Sequence, residues 1–129
     1  MDVMTELGPA GELFRSGDYT RALEATRALW VRLPEPRTEV PDAYNVIEYA
    51  VACALRMQDL DQAWSWACLA PSFSEHRQDR GEAEFLVGRV AFARGDMALA
   101  RTHFLVAKSK SRGRLFEGED PRYRALVAQ

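Results

Sequence analysis

The chain has 129 residues, of which 47% are hydrophobic and 28% are charged, a balance typical of a folded protein with a buried core. Its formal net charge is −2 and its pI is near 5.7. This charge argues against nucleic-acid binding, because nucleic-acid-binding proteins usually carry a large positive excess on one face. The length suits a single domain covering residues 1–129.

The N-terminal stretch MDVMTELGPAGELF has acidic residues, no basic start and no long apolar run. We therefore expect neither a signal peptide nor a membrane span, and we expect a cytoplasmic protein. Cys53 and Cys68 fall in apolar helical stretches and form no CxxC pair. Because cysteine is among the most buried residue types, both thiols are predicted to be buried and reduced, with a disulfide or redox role as the alternative.

Prolines and glycines punctuate the chain, and the segments between them lack the strict alternation of β-strands, so the sequence predicts an all-α protein. The first helix is expected from residue 9 to residue 15 or 16, because proline suits the first helical position. The second helix should cover residues 19–33 and end before Pro34. Residues 34–41 are expected to form a loop.

The third helix should begin near Asp42 and carry the clearest apolar stripe of the chain. That stripe consists of Ala43, Ile47, Ala50, Val51, Ala54 and Met57. A fourth helix is expected over residues 60–71, with its buried face formed by Leu60, Ala63, Trp64 and Ala67. Trp66 should point away from that face. It is either covered by the polar segment 72–80 or exposed at a partner-binding or homodimer surface.

Residues 81–112 are predicted to form a helical hairpin, because apolar residues recur three or four positions apart on both sides of Gly95. Gly95 can adopt the left-handed conformation that ends the first helix, and Asp96 can cap the second. After a basic segment, Asp120 and Pro121 provide the start of a short seventh helix at residues 120–128.

Four cations cluster at the end of the hairpin, namely Lys108, Lys110, Arg112 and Arg114. Cations at a helix C-terminus compensate its dipole, and acidic residues follow at once, so a solvated helix end is the simpler interpretation. Attraction of nucleic acid or a membrane surface is the alternative.

The Gly95-Asp96 corner has counterparts at Gly17-Asp18 and Gln58-Asp59, so one unit is used three times with spacings of 41 and 37 residues. Counted from each corner, a small or branched residue falls seven positions back and an alanine five positions on. These residues are Ala10, Val51 and Gly88, and then Ala22, Ala63 and Ala100. The third unit continues with Phe104 and Ala107, and the first ends in Pro34.

This pattern resembles the tetratricopeptide repeat, in which small residues lie where paired helices cross, and it covers nearly all of residues 5–112. The resemblance implies three antiparallel helix pairs, at about 5–34, 42–71 and 81–112, in a right-handed array. The helix at 120–128 would then cap the exposed apolar side of the last pair. A plain irregular helical bundle is the alternative.

Catalytic motifs are absent: the chain has no HExxH, GxGxxG, Walker-type glycine loop or GxSxG sequence. We therefore expect a protein that is not an enzyme and has no cofactor. A metal site could be assembled on paper from Glu75, His76, Glu82, Glu84 and His103. Solvated surface residues are the simpler interpretation of this set, and no metal is predicted.

In tetratricopeptide arrays the first helix of each pair lines an inner, concave surface. The resemblance therefore implies a partner-binding surface formed by Phe14, Arg15, Asn45, Glu48, Arg56, Phe85, Arg89 and Phe92. Arginine and aromatic side chains recur there, and such side chains hold carboxylates and anchor interfaces. The asparagine-and-lysine clamp of chaperone-binding family members is not reproduced. Ordinary packing of the aromatics, with solvated arginines, is the alternative.

The C-terminal stretch GRLFEGEDPRYRAL resembles the ending of small bacterial helical-repeat proteins associated with toxin immunity. That resemblance implies a non-enzymatic module that binds and inhibits a protein partner such as a toxin, as a monomer or weak homodimer. Nucleic-acid and membrane partners are not expected. The alternatives are an adaptor without an inhibitory role, or a regulatory or enzyme-accessory domain that uses His76, His103 and nearby carboxylates.

Overall fold

The computed structural model describes residues 1–74 and 79–128 and is built from helices and short 3₁₀ turns. The α-helices are α1 (Val3–Glu6), α2 (Gly8–Arg15), α3 (Tyr19–Arg32), α4 (Ala43–Arg56), α5 (Leu60–Ala67), α6 (Glu82–Ala93), α7 (Met97–Ser111) and α8 (Pro121–Leu126). The 3₁₀ turns are Arg37–Glu39, Ala70–Phe73 and Arg114–Phe116. Within the described ranges there is no β-strand, so the all-α prediction is confirmed.

The three corners predicted from the sequence share one hydrogen-bonding pattern. Each has a left-handed residue followed by an aspartate: Gly17 (φ 86°), Gln58 (φ 56°) and Gly95 (φ 83°) precede Asp18, Asp59 and Asp96. The amide of each aspartate donates to the carbonyl five residues earlier, at 2.9–3.0 Å, which closes the preceding helix in a Schellman motif. The aspartate side chain then accepts the amide three residues later, at 3.1–3.2 Å, and caps the next helix.

The chain divides into two compact units, and the first comprises Met1–Leu69. Here α2 packs on α3, α3 on α4 and α4 on α5, so consecutive helices lie side by side. The small residues predicted at crossings are buried: Ala10, Val51, Ala22 and Ala63 are each at most 2% exposed. Small side chains let helix backbones approach closely, and Leu23, Val46 and Ile47 fill the remaining core.

The second unit comprises Ala70–Gln129 and is centred on the α6–α7 hairpin. Gly88 of α6 lies against the Phe104 ring of α7, because a Cβ atom built on Gly88 would come within 2.6 Å of that ring. Tyr123 of α8 packs on Phe104 with a centroid distance of 5.1 Å, and Phe116 packs on it at 5.5 Å. The aromatic core of unit 2 is therefore formed by residues of the α6–α7 hairpin, of the 3₁₀ turn Arg114–Phe116 and of α8.

Several local features differ from the sequence predictions. Helix α1 was not predicted; Asp2 caps it by accepting the amide of Thr5 at 3.3 Å. The fourth helix ends at Ala67, and the 3₁₀ turn at Ala70–Phe73 follows it, so the predicted end at residue 71 was too late. A further 3₁₀ turn lies within the basic segment that follows α7.

The prediction that Trp66 faces away from the core was wrong. Trp66 is 8% exposed and meets Trp30 of α3 edge to face, with ring centroids 5.6 Å apart, whereas Trp64 is half-buried. The ring of Trp30 on a neighbouring helix therefore covers Trp66, which is not exposed at a surface. Residues 75–78 of the segment expected to cover it lie outside the described residues. Cys53 is buried as predicted, but Cys68 is exposed, so the prediction of two buried thiols was half wrong. The single-domain assignment stays a prediction.

Candidate protein-binding surface

Unit 1 carries a cluster of arginine and aromatic side chains on α2, α4 and the start of α3, formed by Phe14, Arg15, Tyr19, Tyr49 and Arg56. We call it the arginine–aromatic cluster. The Phe14 ring meets Tyr19 edge to face at 5.1 Å and Tyr49 at 6.4 Å, measured between ring centroids. The Arg56 guanidinium lies 5.4 Å from the Phe14 ring centre and 5.5 Å from the Tyr19 ring centre.

Local sequence explains why these side chains meet. Phe14 is in the last turn of α2 and Tyr19 is the first residue of α3, so the corner at Gly17 brings both rings to one side. Tyr49 and Arg56 lie seven residues apart on α4, which is two helical turns. A Cβ atom at Gly11 would lie only 3.0 Å from the Tyr49 hydroxyl oxygen, so the absence of a side chain there lets Tyr49 approach α2.

Arg56 is held in a defined orientation although it is exposed. Its Nη1 donates a hydrogen bond of 2.8 Å to the Tyr19 hydroxyl, and two ring faces support its guanidinium. Stacking on ring faces leaves the edges of a guanidinium able to donate further hydrogen bonds. Within the part of the chain that the structure describes, no carboxylate pairs with Arg56.

The other predicted residues of unit 1 lie on the same two helices. Arg15 forms an ion pair with Glu12 at 3.2 Å, and its side chain is 66% exposed. Asn45 donates from Nδ2 to the Met4 sulfur at 3.1 Å, and Glu48 is exposed. Arg15 adds a second exposed cation near Tyr49, since a Cβ atom at Gly11 would lie 3.4 Å from its Nη1 and 3.0 Å from the Tyr49 hydroxyl. Its ion pair with Glu12 contributes little energy because both side chains are exposed.

The three predicted residues of unit 2 have different environments. Phe85 is 6% exposed and packs on Phe104 and Phe116 at 5.2 and 5.0 Å, so it is a core residue. Phe92 is half-buried against Tyr123 at 5.0 Å. Arg89 is half-buried, and its Nε atom is buried without a hydrogen-bond partner among the described residues.

Phe92 also has a cation over its ring, since the Arg122 guanidinium lies 5.0 Å from its centre. Arg122 is in turn paired with Asp120 at 2.7 Å, and these hydrogen bonds raise the pKa of Arg122 and lower that of Asp120. The charge of Arg122 is thus compensated by Asp120, whereas Arg56 has no carboxylate partner among the described residues. Packing alone accounts for Phe85, and α8 covers much of Phe92.

The structure therefore brings Phe14 and Arg56 together in unit 1, with Arg15 near Tyr49. It places Phe85 and Phe92 separately, against Tyr123, in unit 2. Sequence reasoning missed Tyr19 and Tyr49, which complete the cluster. A signal was present for Tyr49, because residues 45, 49, 52 and 56 lie at helical spacing on one face of α4. No comparable local signal marked Tyr19, because its contact with Phe14 depends on how the chain turns at Gly17.

No group of three His, Cys, Asp or Glu residues in the described ranges is placed to hold a metal ion. Two members of the set considered from the sequence, Glu75 and His76, lie outside the described residues, and His103 is half-buried on α7. Among the described residues no helix combines the length and apolar character that a membrane crossing requires.

The described chain is thus an all-α protein with an arginine–aromatic cluster in its first unit, in which the two arginines are exposed and the three rings are half-buried. No protein-family model, curated protein or solved structure matches this chain.

Proposed function

We propose that this chain is a non-enzymatic protein-binding module that uses the arginine–aromatic cluster to bind a carboxylate-bearing protein surface. The observation that carries the proposal is the geometry of Arg56, which is exposed, orientated by Tyr19 and stacked on Phe14. Arginine and tyrosine are enriched among the residues that dominate binding energy at protein interfaces. Side chains that are ordered before binding lose less entropy when a partner arrives.

The charge of the cluster indicates the chemistry of the partner. Arg56 has no carboxylate partner of its own in the described chain, and Arg15 has one exposed neighbour, Glu12. Two guanidinium groups beside apolar rings suit a partner that presents an aspartate or glutamate next to an apolar side chain, because arginine can bind a carboxylate through two parallel hydrogen bonds. A non-acidic partner would leave Arg56 desolvated and unpaired, which is costly.

We further propose that the helix pairs adopt a tetratricopeptide-like arrangement and that binding inhibits the partner, such as a bacterial toxin. The burial of the small crossing residues in each unit supports the first part. The resemblance of the C-terminal stretch to immunity proteins supports the second. Inhibition by binding requires no catalytic residue, only coverage of the partner's working surface. An adaptor with the same surface but no inhibitory effect is the alternative.

The proposal is tested by reversing charge within the cluster. Arg56→Glu should weaken the complex with an acidic partner by about 2–5 kcal/mol, because a like charge would then face the partner's carboxylate. Arg21→Glu is the matched control: Arg21 is also an exposed arginine of unit 1, at 69% side-chain exposure, but it lies outside the cluster. Binding is measured by calorimetry, with helical content checked by circular dichroism.

The partner is sought by co-expressing the chain with the products of its neighbouring genes. Cells that express a toxic neighbour should survive with the wild type and with Arg21→Glu, and should lose protection with Arg56→Glu. Full protection by Arg56→Glu would exclude the cluster as the binding surface. Tight binding without protection would leave a binding module and remove the inhibitory role.

A further inference from the structure

A cleft of about 470 Å³ lies in unit 2 beside the C-terminal end of α7. Its lining residues are Arg80, Glu82, Lys110, Ser111, Arg112, Arg114 and Leu115. Four of these side chains are cationic and one is acidic, although the chain as a whole carries a net charge of −2. The volume falls within the range of roughly 300–1,000 Å³ that is usual for small-molecule sites.

The cations of this cleft are not equally compensated. The Lys110 ammonium contacts Asp79 at 2.6 Å and also binds Glu84, and these hydrogen bonds raise the pKa of Lys110. Its charge is therefore balanced within the unit. Arg112 and Arg114 form no ion pair with any described carboxylate. Two uncompensated guanidinium groups thus line one cleft.

The backbone holds these two arginines in place. Helix α7 is followed by Arg112 at φ 55° and Gly113 at φ 81°, both left-handed, and the amide of Gly113 donates to the Lys108 carbonyl at 3.0 Å. The following 3₁₀ turn anchors Phe116, which is 4% exposed, in the aromatic core. A left-handed backbone at a non-glycine residue costs energy and persists only where the surroundings enforce it. The wall of the cleft that carries Arg112 and Arg114 is therefore an ordered turn.

We propose that this cleft binds a small phosphate-bearing anion. A phosphate group offers several acceptor oxygens and up to two negative charges, so it can satisfy both arginines at once, and arginine is well matched to it in shape. The cleft also has an apolar wall at Leu115 that can contact an organic group attached to the phosphate. This site lies in unit 2 and does not depend on the function proposed for unit 1.

The proposal is tested by nuclear magnetic resonance titration of the whole chain with inorganic pyrophosphate and, separately, with inorganic phosphate and citrate. Sodium chloride keeps the ionic strength constant, because screening alone would otherwise change the spectrum. Saturable shifts are expected in the amides of residues 111–115, with pyrophosphate binding more tightly than citrate. Tighter binding of inorganic phosphate than of pyrophosphate would assign the site to the free ion.

The decisive variant is the double substitution Arg112→Gln and Arg114→Gln, which should weaken pyrophosphate binding by about tenfold or more. Glutamine is compatible with the backbone at position 112, since Gln58 adopts the left-handed conformation in this same chain. The matched control is Arg21→Gln with Arg27→Gln, which removes the same charge from unit 1 and should bind as the wild type does. The single variant Arg114→Gln serves if the double variant does not fold.

Three results would overturn the proposal. Shifts that rise without saturation would show that these cations are only solvated side chains that compensate the dipole of α7. Equal weakening in both double variants would reduce the effect to net charge. Tighter binding of citrate than of pyrophosphate would exclude phosphate as the group that the cleft recognises.

Discussion

At the scale of single residues, the two cysteines show how one residue type takes different properties from its position. Cys53 of α4 is fully buried, and desolvation raises the pKa of its thiol from 9.0 to about 11. Cys68 lies just after α5 and is exposed. Because the thiolate is the reactive form, burial protects Cys53 from alkylation and oxidation in the folded chain.

This burial predicts a pH dependence of stability. An unfolded Cys53 loses its proton near its ordinary pKa of 9.0, whereas the folded chain keeps that proton until the pH approaches about 11. Between these values the unfolded state binds fewer protons, so the free energy of unfolding falls as the pH rises, by roughly 2–3 kcal/mol at most. Below pH 9 this contribution to stability is fully present.

The measurement is urea unfolding of the wild type and Cys53→Ala at about pH 8 and about pH 10.5. Other groups titrate equally in both proteins, so the difference between the two isolates the thiol. The wild type should lose more stability than Cys53→Ala on moving to the higher pH. The same loss in both proteins would contradict the prediction.

At the scale of helices, the α6–α7 pair depends on one missing side chain. Phe104 is fully buried, and its ring occupies the space where Gly88 would otherwise carry a Cβ atom. Gly88 is thus a crossing residue, as the sequence pattern predicted, and the contact is closer than a methyl group permits. A glycine inside a helix costs roughly 0.5–1 kcal/mol relative to alanine, and here the close crossing offsets that cost.

Gly88→Ala is therefore expected to destabilise the chain by about 1–3 kcal/mol, because the Phe104 ring must move within a packed core. Gly8→Ala provides the control, since Gly8 is also helical but a Cβ atom there would meet nothing within 4 Å. Thermal unfolding of both variants compares them directly. If Gly88→Ala were as stable as Gly8→Ala, the close crossing would be refuted.

Helix α8 acts as a cover for the hairpin through Tyr123. The Tyr123 ring lies 6.0 Å from the ring of Phe85, 5.0 Å from that of Phe92 and 5.1 Å from that of Phe104, measured between centroids. Tyr123→Ala should lower the free energy of unfolding by about 2–4 kcal/mol, because it removes a large ring from these contacts. Tyr123→Phe keeps the ring and should stay within about 0.5 kcal/mol of the parent.

Denaturant unfolding of both Tyr123 variants tests this role of α8. A parental stability for Tyr123→Ala would show that α8 is not required as a cover. A large loss in Tyr123→Phe would shift the explanation from ring packing to the hydroxyl group.

At the scale of the whole molecule, the position of the tryptophans offers a test of domain organisation. All three, Trp30, Trp64 and Trp66, belong to unit 1, whereas helices occur in both units. Tryptophan fluorescence therefore reports on unit 1, and far-ultraviolet circular dichroism reports on both units.

If the chain is a single domain, the two signals should give the same urea midpoint and the same dependence on urea concentration, as a two-state transition requires. Fluorescence that changes separately from circular dichroism would show that the units unfold independently, and would replace the single-domain assignment by two.

Most helices and all three corners could be predicted from the sequence, because they rest on local interactions. Asp18, Asp59 and Asp96 each cap a helix through an amide only three residues away, and the preceding left-handed residue closes a motif within six residues. The spacing of small residues likewise identified Gly88 as a crossing residue. In each case the informative residues lie within two or three helical turns.

The tertiary structure decided which predicted surface residues remain exposed. Phe85 and Phe92 share a helical face with Arg89, but only the packing of α8 shows that Tyr123 reaches both rings. Trp66 is buried because Trp30, 36 residues earlier, lies against it. Periodicity identifies which residues share a helix face but does not identify what that face meets.

The arginine–aromatic cluster combines both kinds of information. The resemblance inferred from the sequence placed Phe14 and Arg56 on the first helix of their pairs, whereas the Tyr19 hydroxyl that orientates Arg56 lies 37 residues away in the chain. Such a contact depends on how α2, α3 and α4 pack, because side chains so distant in sequence meet only after the helices are assembled. The residue types of the candidate site were therefore set by the sequence, and their geometry was set by the fold.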